Sequence, residues 1–329
     1  MNAASEAREL IITGENSSMN EKEKYNIIFM GTPEFAVPAL AELNKEFGIS
    51  CVVTVPDKPQ GRGMKLTPSP IKEKAVELGL PILQPEKLMD ENFVKMLAEY
   101  EPDIIVVIAF RILPPSVFSL SKLGTFNIHA SLLPKYRGAA PINWAIINGE
   151  KTTGLTSFLL DEKVDTGQII LQNSIDIPEG ATAGDLHDLL MPEAAKLAID
   201  TCRLLISRDF KTYSQDNSQA TPAPKLFREQ CKINWEQHAE NLRNFIHGVS
   251  PIPAAWFDWE GKRYKVLRTE FSSCGKGIAG NYFIDNDMLH VYCEKGIITI
   301  LEIQPQDRKP MKIEDFLRGF RCDLKGEIK

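Results

Sequence analysis

The residue types best suited to chemistry lie in Asn127-Ile128-His129, at the end of a strand-like segment. Side chains two residues apart on a strand point to the same face of a sheet, so we expect Asn127 and His129 to lie side by side. An amide donor beside an imidazole suits addition to a carbonyl, because the amide can stabilise a developing oxyanion while the imidazole moves a proton. The spacing alone is equally compatible with a histidine that only caps a loop.

A carboxylate that could join these groups is Asp165, in Asp165-Thr166-Gly167 between two strand-like runs. A carboxylate that reached His129 would orient the imidazole and favour its charged form. The same three residues are also an ordinary turn sequence. Aspartic proteases carry them too, but those enzymes need a second copy of the motif, and this sequence has one.

Other catalytic classes are not supported by the sequence. The turn after the first strand-like run, Gly31-Thr32-Pro33, lacks the G-x-G-x-x-G fingerprint of a dinucleotide-binding fold. The sequence contains no G-x-x-x-x-G-K-[ST] loop, no G-x-S-x-G elbow and no H-E-x-x-H pair. Its 6 cysteines form no C-x-x-C pair. We therefore expect no dinucleotide cofactor, no nucleotide-driven motor and no metal.

Positive charge is concentrated in two short segments of an acidic chain. The 38 basic and 44 acidic side chains give a net charge of −6, so any contact with nucleic acid must be local. The segment 56–70 carries Lys58, Arg62 and Lys65 and is expected to be a long loop; Lys135-Tyr136-Arg137-Gly138 is a second basic cluster. Phosphate contact and a solvated surface loop are both compatible with this composition.

The order of elements predicts the architecture that must position these residues. Continuous apolar runs separated by helical patterns indicate a doubly wound α/β domain, whose ligands bind beyond the carboxyl ends of the strands. The predicted strands lie at 27–30, 51–55, 104–108, 125–128, 153–160 and 168–175, and the predicted helices at 71–78 and 182–207.

Four segments follow from this pattern. We expect an acidic extension with little structure over residues 1–23, a catalytic domain over 24–207 and a linker rich in Ser, Gln, Thr and Pro over 208–224. Residues 225–329 are expected to form a small β-barrel. Its one predicted helix covers 236–247, and its predicted strands lie near 254–258, 262–268, 280–284, 288–293 and 297–302.

The predicted barrel carries Lys262, Arg263, Lys265 and Arg268 in one strand-like run. We expect alternation along the strand to place Arg263 and Lys265 on opposite faces, so that only part of this run contacts phosphate.

Taken together, these segments resemble the methionyl-tRNA formyltransferases, a branch of the folate-dependent formyltransferase family, from about Tyr25 to the C-terminus. The formyltransferases as a whole share the Asn, His and Asp, so these three residues point to formyl transfer more firmly than to one acceptor. The resemblance rests on Met30-Gly31-Thr32-Pro33-Glu34-Phe35, the 56–70 segment, the run from Asn127 to Pro141, and Asp165-Thr166-Gly167.

The resemblance implies a Rossmann-like formyltransferase domain followed by an OB-like domain that binds tRNA. It implies transfer of a formyl group from 10-formyltetrahydrofolate to the α-amino group of methionine on initiator tRNA, giving N-formylmethionyl-tRNA for translation initiation. It further implies a cytoplasmic monomer that needs no metal and no membrane. The implied site residues are Asn127, His129 and Asp165 for catalysis, Ser131, Leu132, Leu133 and Pro134 for folate, and Lys58, Arg62, Lys65 and Arg137 for tRNA.

Three other functions stay open at this point. A glycinamide ribonucleotide formyltransferase usually ends after the α/β domain, whereas this chain runs about a hundred residues further. A nucleotide-sugar N-formyltransferase would not be expected to carry Gly61-Arg62-Gly63 or Arg137-Gly138-Ala139-Ala140-Pro141. A non-catalytic tRNA-binding protein would not need Asn127, His129 and Asp165.

Overall fold

The computed structural model describes residues 25–60, 65–320 and 323–328. The expected extension over 1–23 and the residue Arg62 lie outside these ranges. In the N-terminal part the strands are β1 (Ile27–Gly31), β2 (Cys51–Val53), β3 (Lys58–Gln60), β4 (Lys65–Thr67), β5 (Ile82–Leu83), β6 (Ile104–Ile108), β7 (Gly124–His129), β8 (Arg137–Gly138), β9 (Thr152–Leu159) and β10 (Ile169–Asp176). The helices are α1 (Val37–Phe47), α2 (Pro70–Glu77), α3 (Glu91–Ala98), α4 (Pro115–Phe118), α5 (Pro141–Ile147) and α6 (Ala183–Ser207).

Within the described ranges, seven strands form one sheet in the order β10-β9-β7-β6-β1-β2-β5. The five strands from β7 to β5 are parallel, as the α/β pattern predicts. β9 and β10 run antiparallel to their neighbours, which the sequence pattern did not predict. β10 alternates half-buried and exposed residues after Ile170, as an edge strand with one solvated face does.

The sheet is covered on both faces, and β1 shows how its sequence achieves this. Ile27 and Phe29 pack in the layer that contains α1 and α6, whereas Ile28 and Met30 pack in the layer that contains α3. Alternate side chains of a strand point to opposite faces, so a continuous apolar run is required when both faces are buried. The prediction of a doubly wound domain is confirmed.

The segment 56–70 is not wholly a loop. β3 and β4 pair as an antiparallel hairpin in which Lys58 lies opposite Thr67. The sequence pattern did not predict these strands because Pro59 and the polar residues around it lack the apolar alternation of a half-buried strand.

The C-terminal part is a curled antiparallel sheet with helices packed on it. The elements from the linker onward are β11 (Pro222–Ala223), α7 (Ala239–Gly248), β12 (Ala255–Trp259), β13 (Lys262–Ser272), β14 (Asn281–Asp285), β15 (Met288–Tyr292), β16 (Ile297–Pro305), β17 (Met311–Lys312), α8 (Ile313–Gly319) and β18 (Lys325–Glu327). The strands pair in the order β12-β13-β16-β15-β14-β18, so the predicted small β-barrel is confirmed at the level of an OB-like half-barrel. None of the helices among the described residues combines the length and hydropathy needed to cross a bilayer.

Specific contacts join the two halves. The guanidinium of Arg268 on β13 donates to both carboxylate oxygens of Asp185 at the start of α6, at 3.1 and 2.8 Å. The amide of Asn143 on α5 donates to the carbonyl of Gly248 at the end of α7, at 2.7 Å. The same Asp185 caps α6 in a reciprocal pair with Thr182. These hydrogen bonds therefore join α6 to β13 and α5 to α7 across the two halves.

His247, on the α7 side of this interface, is 1% exposed and accepts a hydrogen bond from the Thr269 N–H at 3.0 Å. Burial, together with the charges of Arg243 and Arg268, lowers the pKa of His247 from 6.5 to about 4. The imidazole is therefore neutral in the folded protein at neutral pH, and charging it would place a third positive charge in this interface.

This histidine should make the folded protein lose stability in mild acid. As pH falls from 6.5 towards 4, the unfolded chain binds a proton at His247 before the folded chain does, so the free energy of unfolding falls across that window. The loss from this one group is on the order of 3 kcal/mol. Urea unfolding at pH 7 and 4.5 should give a smaller difference for His247→Gln than for the wild type, while a variant of the exposed His238 keeps the full difference. Equal differences for His247→Gln and the wild type would contradict the assignment.

Candidate active site

β7 carries Asn127 and His129 to the carboxyl end of the parallel strands. His129 lies opposite Thr156 of β9, and Asn127 lies between Val107 of β6 and Phe158 of β9. Their Cα atoms are about 6.6 Å apart and their side chains share one face, by the geometry of an extended strand. His129 is 6% exposed and Asn127 is half-buried. The two side chains thus meet at the edge where open α/β sheets bind ligands.

Each ring nitrogen of His129 faces an oxygen atom. Nε2 lies 2.8 Å from the carbonyl oxygen of Tyr136, and Nδ1 lies 3.8 Å from Oδ2 of Asp165. A carbonyl oxygen only accepts hydrogen bonds, so Nε2 must carry a hydrogen. In the neutral ring Nδ1 then has a free lone pair that faces the carboxylate.

Asp165 is held from its backbone as well as its side chain. Its φ of 56° is in the left-handed region, and its Oδ2 accepts from the N–H of Gly138 at 2.9 Å. The side-chain amide of Gln215 donates to the carbonyls of Asp165 and Gly167 at 3.0 and 2.8 Å. The 3.8 Å separation from His129 exceeds a direct hydrogen bond, and such catalytic pairs often tighten only when substrate binds.

The four residues predicted to bind folate form a turn that its own hydrogen bonds hold. Ser131 is fully buried and its hydroxyl donates to the Lys135 carbonyl at 2.6 Å. Thr156 donates to the Ser131 carbonyl at 2.6 Å and accepts from the Leu133 N–H at 3.1 Å. Leu133 packs in a buried cluster with Phe158. Leu132 and Pro134 are the partly exposed members, so they are the side chains of this turn that a ligand can touch.

A second surface lies at the end of the neighbouring strand β6. There the backbone of Ala109 has a φ of 48°, and the side chain of Ile112 is 76% exposed. Arg111 between them donates to the carbonyls of Pro85 and Glu86, each at 2.9 Å, which holds the turn. An exposed apolar side chain beside the polar site suits a ligand with a flat ring system, and the sequence had not singled out this turn.

The residues predicted to bind tRNA are spread over two places. Lys58 is exposed on β3, and Lys65 begins β4. Near them, the Asp57 carboxylate accepts from Lys72 at 2.6 Å and from Gln84 at 2.9 Å; these hydrogen bonds lower its pKa. Asp57 is therefore already paired with Lys72.

Arg137 lies elsewhere, beside the residues predicted to be catalytic. Its guanidinium donates to Gln215 through Nε and Nη2 at 3.1 and 2.6 Å, and to Asn217 at 2.8 Å. The structure therefore pairs Arg137 with the segment expected to be a linker. That segment also forms β11, which pairs with β8. The polar residues that made its composition look like a linker are the ones that form these bonds.

Sequence reasoning missed the residues that support the site. Tyr136 follows the predicted folate turn, Gln215 and Thr221 belong to the expected linker, and Glu150 and Thr156 lie on either side of the β9 start. The sequence around each of these residues predicts only a turn or a strand. No group of three or more metal-ligating side chains is found in the part of the chain that the structure describes. The arrangement of an amide, an imidazole and a carboxylate is suited to proton transfer during addition to a carbonyl.

Comparison with known proteins places this chain in a family. Residues 24–201 match the formyl transferase family, and residues 225–321 match the C-terminal domain of formyl transferases. A methionyl-tRNA formyltransferase of Bacteroides thetaiotaomicron is 41% identical over 313 residues, covering 92% of this chain and 97% of the relative. That of Chlorobium limicola is 44% identical over 307 residues, covering 90% and 96%.

Solved structures support the fold. An N-formyltransferase from Helicobacter canadensis, crystallised with folinic acid and dTDP-3-aminofucose, superimposes with a TM-score of 0.65 at 19% identity. The superposition covers 84% of this chain and 98% of that one. At this identity the similarity shows the fold alone. The identity of the formyl acceptor must be argued from the more similar relatives.

Proposed function

The chain belongs to the methionyl-tRNA formyltransferase family, and from that premise we propose that it transfers the formyl group of 10-formyltetrahydrofolate to the α-amino group of methionine on initiator tRNA. The observation that carries the proposed mechanism is the 3.8 Å approach of His129 Nδ1 to Asp165, on the same strand end as Asn127. No neighbouring serine or cysteine is needed as a nucleophile, because the acceptor amine attacks directly.

His129 acts as the base in this scheme. Its Nδ1 lone pair accepts a proton from the attacking amine, and Asp165 stabilises the imidazolium that forms. The amide of Asn127 donates to the formyl oxygen as it becomes an oxyanion. When the bond between the formyl carbon and the folate nitrogen breaks, His129 returns its proton to that nitrogen. One C–N bond forms, one breaks, and the histidine ends as it began.

The folate donor is proposed to lie against the turn at 131–134. Leu132 and Pro134 present their partly exposed side chains there, while Ser131 and Leu133 shape the turn from within. The exposed Ile112 extends the apolar surface from the end of β6. Flat apolar contacts of this kind suit the pteridine ring of a folate, whose amide-like formyl group would then reach His129.

Removing either catalytic side chain should abolish turnover with little effect on binding. His129→Ala and Asn127→Ala should each lower kcat by roughly 100-fold or more, because each group acts on the transition state. The matched control is His187→Ala on α6, which removes a histidine outside the site. The measurement is formyl transfer to charged initiator tRNA, with tRNA affinity followed separately. Near-normal kcat in both site variants would rule out the mechanism.

Selection of the tRNA is proposed to depend on the 56–70 segment. The resemblance matches it to an insertion that reaches the acceptor stem and senses the weak first base pair of the initiator. Within it, Lys58 is exposed, and Asp57 is already bound by Lys72 and Gln84. The positive charge of the segment is therefore available to the tRNA backbone, and Arg62 would add contacts that depend on geometry.

Arg62→Lys should lose much of the activity that Arg62→Ala loses, because the planar guanidinium binds phosphate or base edges through two bonds and an ammonium does not. Lys58→Ala is the control for charge alone, and it should act through salt-dependent affinity. The measurement is kcat/KM for initiator and elongator methionyl-tRNA. If Arg62→Lys matches the wild type on both tRNAs, the segment is only an electrostatic guide.

The C-terminal half, residues 225–329, is proposed to hold the body of the tRNA. A groove of about 610 Å³ lies along β13 and the end of β16. Arg263 and Lys265 both line it, so the expectation that they face opposite ways is wrong: residues two apart on a strand share a face. Arg263 stacks on the ring of Trp256 at 3.5 Å, whereas Arg268 is used in the pair with Asp185. The groove is lined by the cations Arg228, Arg263, Lys265 and Arg308 and the acids Asp258 and Asp307.

Lys265→Ala combined with Arg308→Ala should weaken tRNA binding and leave folate binding unchanged. The slope of log affinity against log salt should become shallower by roughly 0.7–0.9 for each phosphate group that the variant no longer neutralises. Lys325→Ala, on the far edge strand β18, is the matched control. Unchanged affinity and slope in the double variant would remove this groove from the tRNA-binding surface.

The remaining features of the proposal concern the whole molecule. Residues 24–207 are proposed as the catalytic domain, and 208–224 as the connection between it and the tRNA-binding domain. We further propose that the enzyme works as a cytoplasmic monomer, because both substrates are cytoplasmic and the site is built from the residues of one chain.

A further inference from the structure

Tyr136 ties the histidine to two other parts of the chain. Its carbonyl accepts from His129 Nε2 at 2.8 Å, and its N–H donates to the hydroxyl of Thr221 at 2.9 Å. Its own hydroxyl donates to Glu150 at 2.6 Å and accepts from the amide of Asn148 at 3.1 Å. All the polar groups of this residue are thus engaged, and the side chain is 6% exposed.

The backbone of Tyr136 needs these contacts. Its φ of 61° is in the left-handed region, which is strained for a bulky residue. In a relaxed backbone the carbonyl would point elsewhere and His129 would lose its acceptor. The hydroxyl stays protonated over the working range, since burial and the hydrogen bond to Glu150 raise the pKa of Tyr136 to about 12. The hydroxyl therefore remains a donor to Glu150, and this hydrogen bond anchors the aromatic ring while the backbone carries the strain.

The direction of the carbonyl decides which ring nitrogen of His129 carries the hydrogen. With the hydrogen on Nε2, the Nδ1 lone pair faces Asp165 and can take a proton. With the hydrogen on Nδ1, a lone pair at Nε2 would face the Tyr136 oxygen at 2.8 Å, which is repulsive. The carbonyl of Tyr136 therefore excludes the tautomer in which Nδ1 cannot act as a base.

We propose that Tyr136 is a positioning residue for the transfer reaction: anchored by Glu150, Asn148 and Thr221, it holds His129 in the Nε2–H tautomer and keeps Nδ1 open as the proton acceptor. This inference rests on the proposed catalytic role of His129. Glu150 and Asn148 lie on the turn between α5 and β9 and bind the Tyr136 hydroxyl. Under this inference they influence proton transfer at His129 without contacting its ring.

Tyr136→Phe tests the proposal because it keeps the ring and removes only the hydroxyl that binds Glu150 and Asn148. We expect kcat to fall roughly tenfold or more, with KM for methionyl-tRNA within about twofold, as for loss of a group that fixes a catalytic tautomer. The matched control is Tyr100→Phe, which removes a tyrosine hydroxyl bonded to Cys51 in the opposite layer of the sheet. Its kcat should not change.

The tautomer of His129 is a second measurement, and a purely structural role of Tyr136 would leave it unchanged. Nitrogen-15 NMR of the neutral His129 ring should show Nε2–H in the wild type and in Tyr100→Phe, and a substantial Nδ1–H fraction in Tyr136→Phe. Thr221→Val removes the acceptor of the Tyr136 N–H and should likewise lower kcat and raise the Nδ1–H fraction. This variant replaces Tyr136→Phe as the test if Tyr136→Phe does not fold.

The outcomes separate this inference from the function on which it rests. Unchanged kcat in Tyr136→Phe, or a lower kcat with the Nε2–H tautomer retained, would overturn the positioning role. Full activity of His129→Ala would instead refute the catalytic proposal, and the NMR spectra would still report whether Tyr136 sets the tautomer. A coupled loss of kcat and of the Nε2–H form supports the inference.

Discussion

The hydrogen bond from His129 Nε2 to the Tyr136 carbonyl, at 2.8 Å, is the contact on which the rest of the site depends. It gives the imidazole one tautomer and one orientation, and so decides that the nitrogen facing Asp165 is the one with a free lone pair. The turn between the two residues must be rigid for this to hold. Thr156 clamps it at the Ser131 carbonyl and at the Leu133 N–H, and Ser131 closes it onto Lys135.

The segment 208–224, which connects the two halves, contributes contacts to this site. Gln215 fixes the backbone around Asp165, and Arg137 in turn holds Gln215. Thr221 holds Tyr136. A segment that supplies three such contacts couples the catalytic geometry to the placement of the C-terminal half, which the Arg268–Asp185 pair also fixes. Movement of one half relative to the other would therefore disturb the histidine and the aspartate together.

The sequence predicts the parts of the site that lie on regular elements. Asn127 and His129 share a face because strand alternation requires it, and the apolar run at 104–108 identifies the strand beside them. Asp165 joined them through family resemblance, since nothing in its local context separates it from an ordinary turn. The supporting residues were missed because their partners are distant along the chain: Tyr136 meets Thr221 across 85 positions, and Arg137 meets Gln215 across 78. Local pattern carries no information about such pairs.

Catalysis and recognition place opposite demands on the chain, and the residues proposed for each lie in different parts of the structure. His129, Tyr136, Ser131 and Thr156 are buried, where hydrogen bonds are strong and each missing partner is costly, so changes there should act on kcat. Lys58 is exposed, and Arg263, Lys265 and Arg308 line an open groove, where salt screens their charges, so changes there should act on affinity. An acidic chain can hold a polyanion under this arrangement because its positive charge is local.

Arg137 shares features with the residues proposed for catalysis and with those proposed for recognition. It belongs to a basic cluster in sequence, yet its guanidinium is bound to Gln215 and Asn217. Its charge therefore serves the geometry of the catalytic loop first, and any contribution to the tRNA must come through the face that these two partners leave uncovered.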